Sequence, residues 1–152
     1  MGFADAYNAY LQKHAIGGQL VSVAPDPHLH TIIAIPAYNE SGLTTCLDSL
    51  FHCDPPVRPA EVVVLINSAR SSNEEIIAAN RRSYEEVLEW IGRHRVKRPQ
   101  EKLRFHVVLV EDLPDKHFGA GLARKLVMDE AVRRLAGRRL AGREAGNQME
   151  NS

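Results

Sequence analysis

The chain has 152 residues, enough for one domain that buries a proper core. Its 44% apolar and 25% charged content is ordinary for a globular protein. With 19 basic and 19 acidic residues the formal charge is zero, so no global field exists to recruit nucleic acid or an anionic membrane.

Residues 3–15, FADAYNAYLQKHA, place Phe3, Tyr7, Tyr10 and Leu11 on one helical face, and Gly17-Gly18 ends that helix. QLVSV (19–23) reads as a short edge strand, and APDPHLH (24–30) as a linker, because its prolines deny regular hydrogen bonding. His28 and His30 lie in that linker, but two histidines make no metal site. Residues 1–30 therefore form an amino-terminal helix and linker ahead of an α/β domain over 31–140, with a polar, frayed tail over 141–152.

TIIAIP (31–36) does not alternate, which suits a strand covered on both faces of a parallel sheet. A helix follows over about 41–53, with Leu43, Cys46, Leu47, Leu50 and Phe51 as its stripe and Asn39 or Ser41 as its cap. EVVVLIN (61–67) is a second buried strand. Ser72 and Glu75 have capping-box spacing and open a helix to about Arg95, closed by Pro99. Its inner side is Ile77, Asn80, Tyr84, Val87, Leu88 and Ile91, and Trp90 reads as core or partner surface. LRFHVVLV (103–110) is a third strand, and EDLPDKHFGAG (111–121) a loop.

The last helix spans about 119–140 on the stripe Ala123, Val127, Ala131 and Leu135. The pairs Lys125–Asp129 and Glu130–Arg134 are expected on its outer face. The basic run at 133–143 reads as a solvated helix face. Cys46 and Cys53 have no metal or redox spacing and read as reduced, packed thiols. No signal-peptide pattern and no apolar run of about 18 residues occurs, so a cytoplasmic protein is expected.

The alternation of strands and helices predicts an α/β fold, a Rossmann-like, mostly parallel sheet with helices on both faces. Ligands in such sheets bind beyond the carboxyl ends of the strands. PAYNE, NSARSS and EDLPDKHFGAG all follow strands and should line one crevice. Pro36 fixes the exit of the first strand, Ala37 is small enough for a ring to approach, and Tyr38 can stack. Glu40 can accept hydrogen bonds from ligand hydroxyls or merely favour a helix dipole, and the residues alone leave both open. Asn67 can hydrogen-bond a base or ribose, or serve as a turn residue. Gly119 and Gly121 allow close backbone approach ahead of a helix whose free N–H groups suit a diphosphate, or else only form the turn. Arg124, Lys125 and His117 could add phosphate contacts, although Arg124 could equally pair with Asp129 or Glu111. Glu111, Asp112 and Asp115 invite a metal reading, but a solvated loop is the better one.

TIIAIPAYNES, then EVVVLINSA, then HFGAGLARKLVMDEA resemble, in order and spacing, the opening of family 2 glycosyltransferases, the inverting nucleotide-sugar enzymes of GT-A fold. The resemblance spans about residues 31–136. It implies a nucleotide site at Pro36, Ala37, Tyr38, Asn39, Glu40, Asn67, Gly119, Gly121, Arg124 and Lys125. The implied partner is a UDP- or GDP-linked sugar. One departure stands out: Ile66, Asn67, Ser68 and Ala69 occupy the place where many members carry two aspartates and Gly-Ser.

The family holds a divalent cation, Mg or Mn, on a later Asp-x-Asp strand, and neither that strand nor a catalytic base follows here. The chain is thus expected to be the nucleotide-binding part of such an enzyme, a partial GT-A fold without catalysis alone. It is further expected to associate through an open sheet. The alternative is a non-catalytic α/β nucleotide-binding or interaction module.

Overall fold

The computed structural model describes the backbone of residues 2–98 and 101–150, and their side chains except at residues 4 and 139–150. Three strands, β1 (Thr31–Ala37), β2 (Ala60–Ala69) and β3 (Leu103–Leu113), form a parallel sheet in the order β1-β2-β3. Among the described residues four helices accompany them: α1 (Phe3–His14), α2 (Leu43–Phe51), α3 (Glu74–Lys97) and α4 (Ala120–Glu150). Helices on both faces of a parallel sheet are what the sequence pattern predicts. Pro99 lies outside the described residues.

β2 is buried along its whole length because it is paired on both sides and covered on both faces. Val62, Val64 and Ile66 meet Leu47 and Phe51 of α2 and Val87 and Trp90 of α3. Val63 and Leu65 point the other way, onto Ala123, Leu126 and Val127 of α4. The alternation of a strand's side chains thus divides one apolar run between two cores.

Several expectations are corrected. α2 has only nine residues and is capped by Gly42 without a side-chain bond, not by Asn39 or Ser41. Its buried line is Leu43, Leu47 and Phe51, and Cys46 lies about 100° round the helix from it. Both cysteines are therefore exposed free thiols rather than packed ones. The cap of α3 is Asn73, whose Oδ1 accepts from Ile76 N at 3.0 Å, while the Ser72 hydroxyl accepts from Ala69 N instead. Leu88 turns outward and Trp90 inward. Phe3 is 78% exposed, so only the rest of the α1 stripe packs. α4 continues through residues 141–150, where a frayed tail was expected.

Residues 19–23 form no strand, and the N–H groups of Leu20 and Val21 take side-chain acceptors instead of a neighbouring strand. The buried Glu130 carboxylate accepts from Leu20 N and Val21 N at 3.0 and 3.1 Å. Its neighbour Asp129 accepts from Ile16 N and from the Tyr10 hydroxyl at 3.0 and 2.8 Å. The expected outer-face pairs are rearranged accordingly. Lys125–Asp129 forms at 2.6 Å but faces α1. Glu130 pairs with Arg133, and Arg134 turns into the protein to grip Glu61 of β2. Arg134 is 3% exposed and also donates to Val23 O at 2.7 Å, so the basic run is not simply a solvated face.

Candidate functional site

At the exit of β1 the chain must leave the sheet without orphaning its backbone groups. Three side chains from neighbouring elements do this. Asn67 Nδ2 donates to Ala37 O at 2.7 Å. Asn80 of α3 accepts from Asn39 N and donates to Asn67 O, both at 2.9 Å. Ser83 Oγ donates to Glu40 O at 2.7 Å. With Asn39 in the left-handed region at φ 50°, residues 37–40 are held from below. Pro36, Tyr38, Asn39 and Glu40 remain exposed, while Ala37 is buried in the core behind them.

The second and third loops are joined to each other. Arg70 N donates to Leu113 O at 2.8 Å, and Ser71 donates both its N–H and its hydroxyl to Asp115. Those two hydrogen bonds hold the Asp115 carboxyl below the usual range. Glu111 is gripped bidentately by Arg81 of α3 at 3.0–3.1 Å, which raises the guanidinium pKa further. Glu111 and Asp115 are thus spent on protein partners. Glu111 and Asp112 belong to the end of β3, so the loop expected from residue 111 begins only after Leu113. No group of three potential metal ligands occurs among the described residues.

The third loop also reaches the first. The Phe118 ring meets Tyr38 edge to face, with centroids 5.6 Å apart. Gly119 then caps α4, its carbonyl accepting from Ala123 N. Its φ of 154° is one that side chains rarely adopt, so glycine is needed there for its backbone. Gly121 lies in the first turn of α4, and a Cβ there would meet nothing. His117, also at positive φ, is exposed.

Of the sequence-predicted residues, Tyr38, Asn39 and Glu40 follow the carboxyl end of β1, and Gly119, Gly121 and Arg124 lie at the start of α4, which the Tyr38–Phe118 contact brings beside it. Arg124 has no carboxylate partner among the described residues, and Asp129 and Glu111 are taken by others. Lys125 is drawn elsewhere: its ammonium donates to Asp129, to Tyr10 Oη and to His14 O at 2.6–2.9 Å. Burial alone would lower its pKa, but the bonds to Asp129 and Tyr10 outweigh this and raise it. Asn67 is 2% exposed, with its amide committed to Ala37, so it braces the site from within. Beside Asn39 a cleft of about 470 Å³ opens toward Glu75 and Arg82 of α3.

Asn80 and Ser83 are the site residues that sequence reasoning undervalued. The available signal was a polar pair on the inner stripe of an otherwise apolar helix face, since buried polar groups require partners. Replacing Asn80 with alanine should cost about 1–3 kcal/mol, because it strands Asn39 N and Asn67 O. Urea unfolding measures this, and faster amide exchange at residues 38–41 should accompany it.

No protein-family model, curated protein or solved structure matches the chain.

Proposed function

We propose that the chain binds a nucleoside-diphosphate sugar at the carboxyl ends of β1–β3, as the nucleotide-binding part of an inverting glycosyltransferase of family 2 type. The observation that carries this reading is the meeting of Tyr38 and Phe118. It sets an aromatic edge beside the exit of β1, next to the capped start of α4. In this reading Tyr38 stacks on the base and Glu40 accepts from ribose hydroxyls. The first N–H groups of α4 face the diphosphate, with Arg124 adding a charge-assisted contact. Asn67, Asn80 and Ser83 keep the first loop in place. The family resembled uses a divalent cation. The described residues do not supply its ligands, and no step of transfer is assigned to them.

The test is a titration with UDP and GDP followed by calorimetry. One of the two should bind saturably. Glu40→Ala and Tyr38→Ala should each weaken it about three- to tenfold, and Arg124→Gln should weaken the diphosphate but not the nucleoside. Absence of binding by both, or affinity unchanged in all three variants, removes the nucleotide site. It would leave the interaction module, which the half-buried apolar residues Ile32–Ile35 of the outer strand β1 favour. Transfer or hydrolysis of a sugar nucleotide above background would overturn the view that the chain is not catalytic alone.

A further inference from the structure

The opposite end of the sheet carries a second concavity. It holds about 330 Å³ where the last turns of α3 meet the start of β3, within the size range of small-molecule sites. Its floor is apolar, made by Phe51, Ile91, Leu103 and Phe105. Arg95, Arg98 and His94 flank that floor from the end of α3, and Arg104 and His106 line the concavity from the other face of β3, round its outer edge. Among the described residues Glu101 is the one carboxylate on the wall.

These cations are weakly neutralised. Glu101 lies 3.5 Å from Arg98, and Asp26 lies 3.7 Å from Arg104, both longer than a charge-assisted hydrogen bond. Arg95 has no carboxylate partner among the described residues. Arg98 instead lies over the Phe51 ring at 4.2 Å, which fixes a guanidinium at the boundary between rim and floor. His106 Nε2 is buried without a hydrogen-bond partner. The nearest carboxylate, Glu61, is 3.6 Å away and already held by Arg134. A chain of zero net charge thus concentrates cations around one apolar cavity.

The bland reading is that basic residues collect at the carboxyl end of α3 to complement its dipole. That accounts for Arg95 and Arg98. It accounts neither for Arg104, which is on β3, nor for the apolar floor.

We propose that this cavity binds a small organic anion, an aryl or alkyl group bearing one phosphate or carboxylate. The apolar body lies on Phe51 and Phe105, and the head meets Arg95 and Arg104. An inorganic anion leaves the floor uncovered, and a neutral aromatic leaves the guanidiniums without a counter-charge. The site is distinct from the proposed nucleotide crevice, at the other ends of the strands, and stands or falls apart from it.

Trp90, the single tryptophan, stacks on His94 at 3.9 Å and reports directly on the cavity wall. Phenyl phosphate titrated into the full chain should change its fluorescence saturably. Inorganic phosphate should bind at least about tenfold more weakly, and benzyl alcohol should give no saturable response. Arg95→Glu, an exposed position that the fold does not need, should weaken phenyl phosphate at least about tenfold. Arg93→Glu reverses the same charge on the same helix outside this cavity and should leave affinity within about twofold. No saturable response to phenyl phosphate overturns the proposal. So does equal weakening by the two reversals, which would mean diffuse attraction to a basic surface.

Discussion

Arg134→Met should lower stability by about 3–5 kcal/mol at neutral pH, because it leaves the Glu61 carboxylate buried and unpaired in the middle of the sheet. In the native protein, burial pushes the Glu61 pKa up. The Arg134 hydrogen bonds and the nearby His106 more than reverse this and bring it from 4.5 to about 2. A depressed carboxylate pKa adds stability that is fully present above the unfolded value of 4.5 and is lost as pH falls toward 2. The linked contribution is about 3 kcal/mol. In the native chain it therefore fades under acid, whereas the variant, whose Glu61 is raised by burial, gains on protonation. The gap between the two should be widest near neutrality and narrow below about pH 4.5. Urea titrations at several pH values measure it. The double variant Glu61→Leu/Arg134→Met removes both charges and should recover most of the loss. A double variant as unstable as the single one would mean that Arg134 acts mainly through its bond to Val23 O.

Trp90→Ala is expected to cost a similar amount, about 3–5 kcal/mol. The indole is 2% exposed and fills the space between α2, α3 and β3. Phe105 and Phe51 meet it edge to face, at 4.8 and 5.9 Å between centroids, and His94 stacks on it. Its Nε1 donates to Asp48 of α2 at 2.7 Å. Removing it opens a cavity beneath three aromatic neighbours that cannot all collapse inward. Asp48 is exposed, so water replaces the lost bond and the deficit is mainly one of packing. Trp90→Phe should therefore recover well over half of the loss, and equilibrium unfolding followed by circular dichroism separates the two variants. If the phenylalanine variant proved as unstable as the alanine one, the Asp48 bond rather than the ring would be the important contact.

The strands were the most legible part of the chain. Their apolar runs lack alternation because β2 faces two cores at once, and a run of that kind has few other homes. Helix ends were less legible. Ser72 and Glu75 match a capping box, but Asn73 next door is an equally good cap and takes the position. The amino-terminal segment was least legible. Its N–H groups at residues 16, 20 and 21 bond to carboxylates more than 100 residues away, and no local pattern encodes such a bond. The same applies to the candidate site. Tyr38, Glu40 and Arg124 could be singled out by their place after strands or at a helix start. The braces Asn67, Asn80 and Ser83 act through tertiary contacts, which change Asn67 from a presumed ligand contact to a support.

The position of α4 has a consequence for how the chain assembles. Strand order follows chain order, so β1, α2, β2, α3 and β3 can join by successive closures between near neighbours. α4 reaches back farthest, lying against β1 and β2 and holding the segment that precedes them. Until it docks, one face of the sheet stays wet, Glu61 lacks its counter-charge and residues 16–21 have no acceptors. Its docking converts a row of local associations into a single cooperative unit, at the cost of the longest loop closure in the molecule.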